Sequence, residues 1–537
     1  MSSAGDQGRR EQTQPTRGVA ADAGAATVQA VRWASRRVRG HMVDAVGGPA
    51  RARVITLLAC VLALNSADTS TIGAVAPQLH ASLHIDNAQI GLLSSVTLLV
   101  GAVFVIPFGL FVDRAKRVPL LAVSVVLWSG ASMLSAIAGS YSTLLLTRLL
   151  MGAVTATAGP AIASLTGDYF PSRERGRIYA YILGGEIAGT AIGFTISGFA
   201  ASLLSWRAAF ILIGIPGFFL ARALFRTLPE PQRGGQSRLA PGVVDLRAAV
   251  DGTDSEWTWQ QEEGEHNEEI AHEAVRKRGV EANPKLVLRA DPARMGVIAA
   301  ARYVLSIPTN VLLIGSSALG YFFFAGLATF LVTFVKGQYH VNQAQTSLVL
   351  LLLVIASIIG TLVSGRITDA MVRRGAVEAR MWVPAVCYMA ATALFIPGVL
   401  GHSLTPALWF DIAGAALLSA ANPPLDAARL DIVPAALWGR AESTRTVARS
   451  LAQALAPIIF GLMADLINGA HLEQAPIGTH AHRPTHTSAL GLQYTFLIML
   501  ATLGAAGWFM LRARHTYAGD IAVAAASQEV AAARGRA

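Results

Sequence analysis

Apolar positions along this chain neither alternate at the period of a strand nor keep to one stripe of a helix. They fill continuous runs near residues 54–76, 89–111, 118–138, 143–166, 178–203, 206–228, 309–335, 343–365, 381–400, 406–428, 441–467 and 490–512. Each run reaches about 20 residues, enough for a helix to cross ~30 Å of hydrocarbon. The pattern predicts an all-α polytopic membrane protein with twelve transmembrane helices. A polar stretch splits the helices six and six, as two pseudo-repeats. The predicted organisation is an N-terminal tail over 1–50, a six-helix bundle over 51–228, a linker over 229–305, a second bundle over 306–512 and a tail over 513–537. The end of the linker, RMGVIAAARYVLSI, reads as a helix lying on the membrane surface.

Composition agrees with this pattern. Apolar residues make up 53% of the 537 and charged residues 14%, against about 25% charged in a soluble domain. A net charge of +10 would suggest nucleic acid in a soluble chain. Here the basic residues gather in loops after even-numbered spans, as in DRAKR, PSRERGR, GRITDAMVRRGAVEAR and RLDIVPAALWGR. The odd set offers little beyond Arg207, Lys336 and Arg483. By the positive-inside rule both termini and the linker are cytoplasmic, and no nucleic-acid partner is expected. Richness in Ala and Arg points to a bacterial inner membrane. The first 50 residues lack the pattern of a cleavable signal peptide. Cys60 and Cys387 lie inside apolar runs, without zinc-ligand spacing, and read as small buried hydrophobes.

An internal repeat links the halves. GLFVDRAKR from Gly109 recurs in outline as GRITDAMVRR from Gly365, an offset of 256. GDYFPSRERGR matches RLDIVPAALWGR at an offset of 263, which carries Asp168 to Asp431, Pro171 to Pro434, Gly176 to Gly439 and Arg177 to Arg440. The same offset takes Pro160 to Pro423 and Gly198 to Gly461. Repeated halves of this kind build transporters whose site lies between them.

At these residues the chain resembles the major facilitator superfamily. GLFVDRAKR is similar to that family's signature after the second span, with Gly109, Asp113, Arg114 and Arg117 in place and Lys116 at the usual second glycine. TRLLMG and SWRAAFILIGIPG resemble its fourth and sixth spans. LNSADTSTIGAVAPQL is similar to the Spinster branch, whose members move lysolipids and sphingolipids, although Thr155 stands where that branch has a glutamate. The fifth span meets the pattern of drug antiporters in part. Gly189, Gly193 and Gly198 are present, while Phe194 replaces a proline. The resemblance implies alternating access between two bundles. It also implies that Asp113, Arg114 and Arg117, with Asp369 and Arg373 in the second half, act as gating residues that latch the halves.

Charge inside the spans marks the site. An ionisable group at the membrane centre costs at least about 2.5–3.5 kcal/mol and usually faces a partner or a wet cavity. Asp68, Arg148, Glu186, Asp411 and Arg449 are such groups. The 263 offset pairs Arg148 with Asp411 and Glu186 with Arg449, so related positions carry opposite signs. Glu186 and Arg449 are expected to form, with Asp68 and Arg148, either a substrate or proton site or a structural ion pair. Burial favours a protonated carboxyl and a nearby arginine an ionised one, so a carboxylate whose arginine departs could carry a proton. Phe324 falls opposite Asp68 at the 256 offset, which suits an amphiphilic substrate or simple packing. The segment holding His471, His480, His482 and His486 reads as a solvent-exposed loop rather than a metal site. No GxxxxGK[ST], HExxH or GxSxG occurs, so no enzyme or nucleotide hydrolysis is expected. The expected function is secondary active transport of an amphiphilic, lipid-like or drug-like molecule, driven by a proton gradient without a cofactor or metal. The alternatives are a transporter-like sensor without flux and an uptake carrier for a small organic anion. A monomer in the lipid bilayer is expected, with a small molecule or lipid as substrate.

Overall fold

A computed structural model describes residues 46–112, 115–170, 175–231, 242–251, 275–289, 295–434, 437–473 and 489–536, with Val43, Leu239 and His272 besides. Twelve stretches among these residues are helical, long and apolar enough to cross a membrane. In such a setting the helix satisfies its own backbone, so apolar sequence on every face is no obstacle to it.

The first half comprises α1 (Pro49–Leu83), α2 (Asn87–Val112), α3 (Arg117–Ala136), α4 (Tyr141–Thr155), α5 (Ala158–Tyr169), α6 (Arg175–Leu203) and α7 (Trp206–Thr227). Linker helices α8 (Leu246–Asp251) and α9 (Val297–Ser306) follow, the latter where a surface helix was expected. The second half comprises α10 (Pro308–Tyr339), α11 (Gln343–Arg373), α12 (Ala379–Leu400), α13 (Leu404–Ala420), α14 (Asn422–Ile432), α15 (Trp438–Glu473) and α16 (Ala489–Arg536). Span four is thus α4 plus α5, and span ten is α13 plus α14.

The repeat is visible in backbone geometry. His84 ends α1 and His340 ends α10, both left-handed with φ 52° and separated by the 256 offset. Pro160 and Pro423, separated by the 263 offset, sit in the first turns of α5 and α14. A proline there lacks only a donor that a helix start leaves unused, and it prevents the preceding helix from running on unbroken. Spans four and ten are therefore broken at matching places.

Helix α6 packs on α1 through Gly185, Gly189 and Gly193. A Cβ on any of the three would come closer than 3.0 Å to the carbonyl oxygens of Ala59, Ala63 and Ala67. Small residues allow such approach where lipid supplies no hydrophobic drive. Between the halves, α1 meets α10, α2 meets α15 and α6 meets α11.

These contacts between halves tighten at the side of the bundle away from the linker. A Cβ on Gly73 would collide with Ala328, one on Gly91 with Pro457 and one on Gly461 with Asn87. Asp465 of α15 accepts from the Asn87 side-chain amide at 2.7 Å and from the Ala88 backbone at 2.8 Å. The carboxylate thus caps the start of α2 across the interface, where the helix dipole favours negative charge. Gln78 donates to Gln343 at 3.3 Å nearby.

The segment read as a C-terminal tail, 513–537, is helical through Arg536 as the continuation of α16. Tyr517, Ile521, Val523 and Ala524 are buried on it. Asp520 accepts from the Thr309 backbone at 2.9 Å, capping the start of α10, and Ser527 accepts from Leu288 at 3.0 Å.

Candidate functional site

Asp68 and Arg148 meet in the interior of the first half, each about 1% exposed. Arg148 donates to Asp68 Oδ2 at 2.7 Å and to Ser135 Oγ at 2.5 Å. Ser132 donates to Asp68 Oδ1 at 2.7 Å, and the Arg148 guanidinium lies 4.8 Å from the Phe210 ring centroid. Helices α1, α3, α4 and α7 each contribute one wall. Both carboxylate oxygens are engaged, as a buried ion requires.

A second polar group lies on the second half. Arg449 of α15 stands with its guanidinium carbon 4.8 Å from the Tyr321 ring centroid on α10. The Tyr321 hydroxyl is within electrostatic reach of Arg449, Asp426, Glu186 and Arg445. Arg445, one turn before Arg449, is buried and donates to Asp426 of α14. Glu186 of α6 is exposed and, from the opposite half, is one of the charges within that reach of Tyr321. Tyr321 and Phe324 lie seven and four residues before Ala328, whose backbone faces Gly73 of α1. They therefore share the face of α10 turned to the first half. Phe324 is 39% exposed, whereas Phe323 is buried against Phe395 and Phe460.

The paired signs of the repeat are not all brought together. Asp411 does not meet Arg148; its carboxylate lies against Gly398 of α12, close enough to obstruct any Cβ there. That places it at the junction of α12 and α13 within the second half, beside Tyr339, whose hydroxyl donates to the Gly398 carbonyl at 2.8 Å.

Of the expected gating residues, Asp113 and Arg114 lie outside the described residues. Arg117 is buried within its own half. It donates to Asp168, to Ser164 at 2.9 Å, to Glu230 at 2.9 Å and to the Pro231 carbonyl at 2.6 Å. Glu230 also accepts from the backbone of Arg117 and Val118, at 3.0 and 2.8 Å. In the second half the same clamp is built by Arg380, which donates to Asp431, itself an acceptor for the Tyr517 hydroxyl. Arg380 and Asp431 follow Arg117 and Asp168 at the 263 offset. Arg373, which follows Arg117 at 256, is exposed instead. The offset changes because seven extra residues separate Asp369 from Arg380. Asp369 reaches Arg380 at 4.0 Å.

Sequence reasoning missed Tyr321, Asp426, Arg445 and Asp465. None has a charged counterpart at either repeat offset, and only Tyr321 had a signal, one helical turn from Phe324. Arg380 was within reach, by applying the 263 offset to Arg117. His480, His482 and His486 lie outside the described residues.

The model of the Major Facilitator Superfamily matches residues 58–413. The chain belongs to that superfamily. Its members are transporters rather than enzymes, and the twelve-helix fold in two halves is theirs. An uncharacterized transporter of Bacillus subtilis (strain 168), YybO, is 26% identical over 186 residues, 35% of this chain and 43% of that protein. The 4-hydroxybenzoate transporter PcaK of Pseudomonas putida is 30% identical over 182 residues, 34% of this chain and 40% of that protein. The probable galactarate/D-glucarate transporter GudP of Bacillus subtilis (strain 168) is 25% identical over 186 residues, 34% of this chain and 41% of that protein. The match spans less than half the length of each of these relatives. Among solved structures, a bacterial homolog to the human lysosomal transporter Spinster, inward-facing and unoccupied, shares the fold. Its TM-score is 0.66 at 21% identity, over 88% of this chain and 98% of that one.

Proposed function

We propose that this member of the superfamily is a proton-coupled secondary transporter that carries an amphiphilic organic anion by alternating access. The observation that carries the reading is Arg449 beside Tyr321, with Phe324 exposed on the same helix face. A guanidinium next to aromatic surface suits a solute with an anionic end and an apolar or aromatic body. Relatives named for 4-hydroxybenzoate and for galactarate/D-glucarate, all organic acids, support the anionic end.

Asp68 and Glu186 are the proton carriers on this reading. Each shares its surroundings with an arginine, and substrate binding or rocking of the halves that draws the arginine away favours protonation. The linker side faces the cytoplasm, which the placement of basic residues supports. The loops holding Asp113 and Arg114, and Asp369 and Arg373, then act as cytoplasmic gates, anchored by the clamps at Arg117 and Arg380. The working unit is a monomer, and the proton gradient replaces any cofactor.

The test is uptake by proteoliposomes of an aromatic carboxylate such as 4-hydroxybenzoate and of a lysophospholipid, with and without an imposed pH gradient. Uptake of the carboxylate should rise with the gradient. Asp68→Asn should remove that stimulation, and Arg449→Gln should weaken uptake at least about tenfold, the scale of one charge-assisted hydrogen bond. Flux indifferent to the gradient would rule out proton coupling. Binding without any flux would instead make the chain a sensor.

A further inference from the structure

Helix α16 changes character within one turn. No charged residue occurs from Ala489 to Leu511, and then Arg512, Arg514 and His515 follow closely. Those 23 uncharged residues span about 34 Å as a helix, close to the hydrocarbon thickness. Trp508, Arg512 and His515 are spaced i, i+4, i+7 and lie on one face at that boundary. All three are exposed. Helix α16 packs on α10, α12 and α15, all in its own half, so its open face looks outward to lipid.

A groove exists at this point between α10 and α16, lined by Leu312, Trp508, Arg512, His515 and Thr516. The Arg512 guanidinium carbon lies over the Trp508 ring, 5.5 Å from its centroid, so the charge is held against the aromatic face. Toward the membrane centre the same face continues through Gly504 and Ala501. A Cβ on Gly504 would meet nothing within 4 Å, and Ala501 is exposed. The groove with its basic, aromatic mouth is therefore continued by an uncovered apolar strip of the helix. The first acid after Arg512 along α16, Asp520, accepts from the backbone at the start of α10.

We propose that this groove binds an anionic phospholipid, with the phosphate at Arg512 and His515 and an acyl chain along Trp508, Gly504 and Ala501. Interfacial tryptophan beside basic residues is the arrangement that holds a lipid headgroup at the membrane surface. The occupant is a lipid rather than free phosphate because the basic mouth continues into apolar surface. Thr516, at the mouth, bonds to Thr309 at 2.6 Å, so the bound lipid would also brace the joint between α16 and the first turn of α10.

Native mass spectrometry and thermal melting of the full-length purified chain would test this, with phosphatidylglycerol, phosphatidylcholine or inorganic phosphate added. Phosphatidylglycerol should be retained and should raise the melting temperature, whereas the other two should do neither. Arg512→Gln should weaken its binding about fivefold, the scale of one basic residue at an anionic surface. Arg512→Lys should keep most of it. Arg222→Gln, at an exposed arginine on α7 in the other half and not among the groove's lining residues, should have no effect. Equal retention of phosphatidylcholine, equal protection by inorganic phosphate, or an Arg512→Gln loss no greater than that of Arg222→Gln would overturn the proposal.

Discussion

Asp68 and Arg148 hold each other inside the first half at a site where neither could remain charged alone. Removing one partner of a buried pair leaves an uncompensated charge and costs about 3–5 kcal/mol, while replacing both by apolar groups is often close to neutral. Asp68→Asn should therefore lower the melting temperature of the purified protein sharply, and Asp68→Asn combined with Arg148→Met should restore much of it. A double variant as unstable as the sum of the singles would mean that Ser132, Ser135 and Phe210, not the pair, dominate the site. The two charges were legible because intramembrane ions are rare. That they belong to one site was expected from the sequence, but their direct pairing inside the first half was not, since it depends on four helices converging and no sequence offset joins positions 68 and 148. Asp411 shows the converse. It carries the opposite sign at the repeat position of Arg148, yet the repeat relates equivalent places in two halves and does not bring them into contact.

At the scale of the element, the glycines of α6 decide how near two helices lie. Gly189→Leu would force α6 from α1 and should cost at least about 1–3 kcal/mol, the range for overpacking a close contact. Gly184→Ala, where an added Cβ meets nothing within 4 Å, should be silent in the same melting experiment. Failure to distinguish the two would show that α1 and α6 can part without penalty. The glycine spacing was readable in the chain, as was the correspondence of Pro160 and Pro423. That these prolines break spans four and ten depends on the backbone path and needed the structure. The clamps at Arg117 and Arg380 were half legible. Asp168 and Asp431 were matched in the sequence, but the seven extra residues before Arg380 hid the arginine, and Arg373 was read in its place.

For the whole molecule, the decisive contacts are those that close the halves at the side away from the linker. Twelve spans and their division followed from apolar runs. The closure did not, because it rests on single residues such as Asp465 meeting a helix start 378 positions away. Asp465→Ala should loosen this seal. Spin labels at Ser82 and Leu466, in a background with Cys60→Ala and Cys387→Ala, should then report longer separations by pulsed electron resonance. An unchanged distance distribution would show that close backbone packing at Gly73, Gly91 and Gly461 suffices without the carboxylate.

Helix α16 adds a mechanical consequence. From Arg512 to Arg536 it continues for about 36 Å past its uncharged stretch, packed along part of that length, while α7, at the end of the first half, stops at Thr227. For a straight helix of that length, a tilt of roughly 10° at the membrane amounts to a sweep of about 6 Å at its tip. Because Ser527 and Asp520 tie this helix to the linker and to α10, a tilt of the second half would reach the linker as displacement. The same geometry works in reverse, so a load on the end of α16 would be felt at the start of α10.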